Sequence, residues 1–339
     1  MIISTCGFGN TGASAVLDFL RGYRDVQLVD DFEYQLIHEP DGINDLKYHL
    51  TQNKERISSN ASIKRFMRLN NHSVARRLRK RGINVESINQ RYLSQIITVS
   101  WKGCSNFDPD DVSNICHTPF RLKIQRGLHY ILRHINSAWH YPAFQTRYFS
   151  MMSEDKFDEI TKEYLKDLFL AMGYDINKMI ITDMLFSATN PGLGMEFFDG
   201  AKAIIVYRDP IDLFVRATTH KATNAYFPCC DVKQFVSYYS TLMANTTIND
   251  NVLCVQYEDL IYKYYPTTQR IMDFLGYKNR PQDEFKHFNP DVSVKYTNNG
   301  NKSEFINEIE YIKKHLSKYI YEFSGYIPVS EQKKIFEGE

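Results

Sequence analysis

The sequence predicts an α/β fold: a doubly wound parallel sheet of about five strands, with a large and mostly helical insertion. Three observations predict it. Short apolar runs alternate with helical patterns, which is the signature of strands joined by crossover helices. A glycine-rich turn sits between the first such run and the first helix. A long, basic, helix-patterned stretch at 45–175 separates the second strand from the third, placing an insertion beside the sheet within one domain spanning 1–339.

Taken in order, Ile2–Cys6 reads as a short buried strand, and Gly12–Gly22 as an amphipathic helix with Val16, Leu17 and Leu20 on its apolar side. Val26–Val29 is the second strand, and a loop rich in Asp, Asn and Cys interrupts the insertion at 103–119. Met179–Thr182, Ala203–Tyr207 and Val252–Tyr257 supply strands three to five. Pro210 opens a helix, since proline suits a first turn. Residues 231–247 and Thr267–Leu275 continue the helical pattern, the latter ending at Gly276, a natural C′ residue. A last long helix is expected over Ser303–Phe323.

Composition narrows the class. The chain has 339 residues and a formal net charge of +1, enough length to bury a large core without disulfides or metal. Its apolar runs are too short for a membrane span, and no secretory leader is read at the start. Six cysteines without CxxC spacing point to thiols in a reducing compartment, hence the cytoplasm. The near-zero charge hides segregation: residues 51–135 carry a balance of +11 and the remainder −10. Lys64, Arg65, Arg68 and the run Arg76-Arg77-Leu78-Arg79-Lys80-Arg81 dominate the basic part. Such a field concentrates an anionic partner; the alternative is a solvated helix face of snorkelling side chains. Nucleic acid is disfavoured, because no zinc finger or aromatic-basic RNA signature is present.

Gly7-Phe8-Gly9-Asn10-Thr11-Gly12 places a GxGxxG between strand and helix. Glycines admit close approach of phosphate oxygens to backbone N–H groups, and the helix N-terminus adds partial positive charge. Asp30 closes the second strand where a Rossmann site would hold its ribose-binding acid, so a Rossmann-type NAD(P)-dependent oxidoreductase stands as one reading. A Walker triphosphatase does not, because Ala13-Ser14 follows Gly12. Further on, Val206-Tyr207-Arg208-Asp209-Pro210-Ile211-Asp212 brings an Arg to a strand's carboxyl end. A guanidinium there suits bidentate capture of phosphate, or else pairs with Asp209 or Asp212 to order the turn. Tyr257-Glu258-Asp259-Leu260 and Phe274-Leu275-Gly276 read physically as scaffold, with acids at a helix start.

Together, in this order, these segments resemble the sulfotransferase family, enzymes that use 3′-phosphoadenosine 5′-phosphosulfate (PAPS), with glycan-type bacterial members most similar. The matching pieces are the loop Gly7–Val16, the Arg208 segment, the 257–260 and 274–276 segments, and a weaker Asn298-Asn299-Gly300-Asn301-Lys302 with Gly325-Tyr326. The resemblance implies a P-loop-like sheet and metal-free transfer of a sulfuryl group from PAPS to a glycan or other hydroxylated acceptor, with positive charge and backbone donors supplying the electrostatics. It implies that Gly9, Asn10, Thr11, Gly12, Ala13 and Ser14 hold the 5′-phosphosulfate. Arg208 takes the 3′-phosphate, and Lys302 is a further donor-binding position.

Two positions depart from the family pattern. Asn10 replaces a loop lysine, and Asn donates a hydrogen bond without carrying charge. A cation from the insertion, Lys64 or Arg65, then substitutes, or activity is weak or lost and the chain is a non-catalytic binding module. Arg216 stands where the family has a Ser; it either strengthens phosphate capture or is an exposed helix Arg. For the general base that removes the acceptor's proton, Glu33 and Asp183 compete by their places after strands two and three, with Glu33 preferred and His38 third. Their structural alternatives are an ion pair for Glu33 and a helix cap for Asp183. Lys64, Arg65 and Arg68 are the substrate-binding candidates for an anionic acceptor. Phe66, Tyr92 and Trp101 either stack on sugar rings or pack in a core. The acceptor's identity and the oligomeric state are left open.

Overall fold

The structure, a computed structural model, describes residues 1–29, 33–72, 74–103, 119–137, 145–219 and 227–338. Seven strands are formed among them: β1 (Ile2–Gly7), β2 (Gln27–Val29), β3 (Val99–Gly103), β4 (Gln145–Phe149), β5 (Ile180–Asp183), β6 (Lys202–Tyr207) and β7 (Val252–Gln256). The chain divides into two units, one of Met1–Gln35 with Asp175–Glu339, the other of Leu36–Tyr174.

The first unit holds a five-stranded sheet in the order β2-β5-β1-β6-β7. Every pairing is parallel, with Ile3 opposite Ile181 and Lys202, and Ile205 opposite Cys254. All six residues of β1 are buried, which explains its unbroken apolar and small-residue run: a central parallel strand is covered on both faces. One cluster joins Ile3, Ile204, Val206 and Val255 to the helices Ala13–Leu20 and Tyr264–Leu275. A second joins the helices Pro210–Thr219, Val232–Ala244 and Ile306–His315 through Phe214, Phe235 and Ile312. The five-stranded, helix-flanked sheet agrees with the expectation. Its order does not suit the Rossmann reading, in which the second strand would lie beside the first; here β2 is on the edge and β5 intervenes.

The expected helix over 303–323 is corrected. A 3₁₀ turn at Ser303–Phe305 leads into Ile306–His315, and the helix ends there. Tyr321 lies beyond it, its N–H donating to Asp209 and its hydroxyl to Asp259, contacts that a continued helix would forgo. A further helix, Val329–Glu337, was not anticipated; it packs on the first cluster through Val329.

The second unit is mainly helical, as read, with helices Arg56–His72, Val85–Ile96 and Glu154–Ala171 among them. Phe66, Tyr92 and Tyr164 form its aromatic core, Tyr92 stacking on Tyr164 at 4.0 Å between centroids. That settles Phe66 and Tyr92 as packing residues. The unit also contains an antiparallel ribbon of β3 and β4 that the sequence reading omitted; Trp101 stands on it, exposed. Most of the 103–119 loop lies outside the described residues.

Candidate functional site

The turn after β1 is built by three left-handed residues, Gly9, Asn10 and Gly12, with φ of 83°, 52° and 93°. Asn is among the few side-chain-bearing residues that visit this region readily, so Asn10 has a backbone reason to be there. Gly12 has two. Its φ excludes most residues, and a Cβ would lie 2.3 Å from Cδ2 of Tyr257. The buried Thr11 turns inward, its Oγ1 accepting the Phe8 N–H at 3.2 Å, so it shapes the loop. No side chain caps the following helix; the Ala15 N–H donates to the Gly12 carbonyl at 2.9 Å, which leaves the N–H groups before it for a ligand.

That helix start opens on a cavity of about 570 Å³ at the carboxyl ends of β1 and β6, lined by Asn10, Gly12, Ser14, Arg208, Arg216 and Tyr257 among others. Arg208 is buried, with 4% exposure. Its two terminal nitrogens donate to the carbonyls of Asn10 (3.0 Å) and Tyr296 (2.6 Å), and its guanidinium lies 4.7 Å from the Tyr257 ring centre. Its Nε has no partner among the described residues. Arg208 therefore does not make the pairing with Asp209 or Asp212 offered as the alternative: it carries positive charge to the glycine loop and ties that loop to the 296 segment.

The acids are spent on backbone. Asp209 accepts the N–H groups of Ile211 (2.8 Å), Asp212 (3.0 Å) and Tyr321 (2.8 Å). Asp212 accepts those of Asn298 (2.9 Å) and Asn299 (2.7 Å). Glu258 accepts the Asp209 N–H at 3.1 Å and the Gln256 amide at 2.6 Å. Burial pushes Glu258 up to about 8 and Asp209 up to about 6, outweighing the hydrogen bonds that favour their charged forms. Asp212 thus holds Asn298 and Asn299 through their backbone N–H groups and the Asn299 side-chain amide, which donates at 2.8 Å.

Arg216, half-buried on the helix after Arg208, lines the same cavity. Its guanidinium lies 5.4 Å from the Tyr296 ring centre, and it has no carboxylate partner among the described residues. Of the other loop candidates, Gly9, Thr11 and Ala13 shape the turn without lining the cavity, and Lys302 is exposed outside it. Residues 285–296 form the opposite wall, including Phe285, Lys286, His287 and Ser293. The sequence reading missed them and the ring of Tyr257; the Tyr-Glu-Asp-Leu segment was the available signal for the latter.

Glu33 and Asp183 are brought to adjacent strand ends, β2 pairing with β5 and the Tyr34 N–H donating to the Asp183 carbonyl at 2.9 Å. Glu33 is exposed and accepts the Gln35 side-chain amide at 2.6 Å, whereas Asp183 is half-buried. Neither lines the 570 Å³ cavity. Asp30 lies outside the described residues. His38 belongs to the second unit, as do Lys64, Arg65 and Arg68 on the helix Arg56–His72; Arg65 donates to Asp41 at 2.7 Å.

A family model described as "Sulfotransferase family" matches residues 88–281, a span that includes the Arg208 and Tyr257 segments and begins after the glycine loop. Two solved structures are similar over nearly the whole chain. A sulfotransferase domain from the Synechococcus PCC 7002 olefin synthase is 14% identical, covering 95% of this chain and 94% of that one, with a TM-score of 0.38. A sulfotransferase domain from the curacin biosynthetic pathway is 13% identical, covering 96% and 98%, with a TM-score of 0.35. No curated protein matches the sequence. With the family match spanning more than half its length, the chain belongs to the sulfotransferase family.

Proposed function

We propose that the protein transfers a sulfuryl group from PAPS to a hydroxyl of a glycan or other carbohydrate-type acceptor. The observation that carries this reading is the cavity at the strand ends. It combines an uncapped helix N-terminus, a buried Arg208 with an unpartnered Nε, and Arg216 without a carboxylate partner among the described residues. Three sources of positive potential converge on one space, against one lining carboxylate, Asp18, which is paired to Arg21 at 3.6 Å, and its volume falls in the range of roughly 300–1,000 Å³ usual for small-molecule sites.

When bound, PAPS supplies the sulfuryl group and a bisphosphate leaving group. In this reading the Ser14 N–H and the Asn10 amide hold the 5′ end. Arg216, with the Nε edge of Arg208, holds the 3′-phosphate. Preorganised donors of this kind act where charge develops. Glu33 or Asp183 accepts the proton of the acceptor hydroxyl as its oxygen bonds to sulfur. The basic balance of residues 51–135 supports an acceptor bearing carboxylates or sulfates. Among the described residues, Cys6, Cys229, Cys230 and Cys254 form no disulfide, which supports a reducing, cytoplasmic setting. No described helix is long and apolar enough to cross a membrane.

The test is transfer from labelled PAPS to a glycan panel, with Glu33→Gln and Asp183→Asn beside wild type. Turnover lost in one variant that still binds adenosine 3′,5′-bisphosphate identifies the base. Bisphosphate binding without turnover on any acceptor would favour the second reading, a binding module, which Asn10 in place of the loop lysine supports. Absence of bisphosphate binding would overturn the transfer reading.

A further inference from the structure

The donor-site reading leaves a second cavity unused. About 450 Å³ in volume, it lies along edge strand β7 and shares no lining residue with the first. Cys254 and Gln256 of β7 contribute to it. The base candidates stand at β2 and β5, and β5 is three strand positions from β7, about 14 Å at the usual inter-strand spacing. The cavity is therefore not the place where Glu33 or Asp183 meets an acceptor.

Its walls are mixed: Tyr207, Tyr239, Tyr319 and Tyr321 contribute to them, with Met243 and Ile248, and beside these stand the polar Gln256, Asp259, Lys263 and Lys318. They are also fixed. Tyr239 is buried and its hydroxyl donates to the Arg208 carbonyl at 3.1 Å; Tyr321 donates its N–H to Asp209 at 2.8 Å and its hydroxyl to Asp259 at 2.9 Å. Walls held this way cost little ordering when a ligand enters.

Charge selects the ligand. Lys263 sits 5.4 Å from the Tyr321 ring centre and is paired to Asp259 at 3.1 Å. Lys318 sits 4.6 Å from the Tyr319 ring centre and has no carboxylate partner among the described residues. Two cations against one carboxylate leave a single positive charge beside a ring-lined space.

We propose that this cavity is a second small-molecule site, which binds a compact monoanion with a flat aromatic body, its carboxylate on Lys318 and its ring between the tyrosines. The proposal goes beyond the sulfuryl-transfer reading and does not depend on it.

The test is calorimetric titration of the full chain with benzoate, 2-naphthoate and indole-3-acetate, each beside its neutral carboxamide. At least one carboxylate is expected to bind tenfold or more tightly than its amide. Lys318→Ala, an exposed position, should weaken that binding at least tenfold, with Lys318→Gln used if the alanine variant melts lower. Ile248→Trp, which narrows the mouth, should weaken it too, and Arg216→Ala should leave it unchanged. Three results overturn the proposal: no carboxylate binding up to roughly millimolar concentration, equal affinity in the Lys318 variants, or displacement of the carboxylate by adenosine 3′,5′-bisphosphate.

Discussion

Removing Arg216 is the sharpest probe of the proposed donor site, because its geometry separates binding from folding. The residue is half-buried, lines the 570 Å³ cavity, and among the described residues is held by the face of Tyr296 with no carboxylate partner. Arg208, by contrast, joins two carbonyls to a ring, and its loss would loosen the loop and the 296 segment as well. Arg216→Ala deletes a cation with little structural duty. A hydrogen bond to a charged group contributes about 1.5–3 kcal/mol net, which corresponds to about a 10- to 150-fold loss in affinity for a phosphate it contacts. The assay is calorimetric titration with adenosine 3′,5′-bisphosphate and, in parallel, with adenosine 5′-monophosphate. The variant should lose affinity for the bisphosphate and much less for the monophosphate, with an unchanged melting temperature. Equal losses for the two nucleotides would move Arg216 off the 3′-phosphate, and a loss below about threefold, well under one such hydrogen bond, would refute the assignment altogether.

Two further outcomes follow from the buried parts of the site. Gly12→Ala forces a side chain into a φ of 93° against Tyr257; the left-handed conformation alone costs about 1–2 kcal/mol, so melting should fall by about 2 °C or more and bisphosphate binding should be lost. Glu258, raised by burial to about 8, stays protonated in the folded chain at pH 6 but ionises on unfolding. Its contribution to stability is full below about 4.5, its ordinary value, and is lost as pH rises to about 8. Glu258→Gln should flatten the decline in melting temperature between those limits, and an identical slope in both proteins would show that Glu258 is ionised in the fold.

The sheet was legible because its strands are covered on both faces. Ala203-Ile204-Ile205-Val206 is buried throughout, so its run is continuous, and its shortness and β-branched content mark it as a strand. The ribbon was not: Ser100-Trp101-Lys102, all exposed, faces Tyr148, Arg147 and Thr146 in a two-stranded pairing, and no apolar alternation marks it. Arg208 was legible as a residue and not as a geometry. Its partners are the carbonyls of Asn10 and Tyr296, 198 and 88 positions away, and a carbonyl leaves no trace in residue identity. For the same reason the 285–296 wall escaped notice. It is a turn with Phe285 at φ 66° followed by single helical turns at Pro290–Ser293 and Val294–Tyr296, and no spacing rule assigns it to the site. Phe66 and Tyr92 show the converse: aromatics inside a basic stretch look available to a sugar until burial places them in a core.

Asn10 decides how the loop supplies charge. A lysine at this position would be a mobile point charge able to follow an oxygen as its bond to sulfur breaks. The structure offers a guanidinium instead, and one that cannot follow: Arg208 is clamped by Asn10, Tyr296 and Tyr257. In the proposed reaction its charge would be present from the start and would favour bound donor and transition state alike, tightening binding without raising kcat. Asn10→Lys tests this division of labour. The substitution puts a lysine at φ 52°, at a strain of about 1–2 kcal/mol, and adds a cation near Arg208 that is compensated only when phosphosulfate is present. The variant should therefore melt slightly lower without ligand, recover with bisphosphate, and show a kcat raised about tenfold, the return on about 1.4 kcal/mol of added transition-state stabilisation. An unchanged kcat with tighter bisphosphate binding would mean that a cation elsewhere already serves the breaking bond, and that Asn10 is kept for the turn alone.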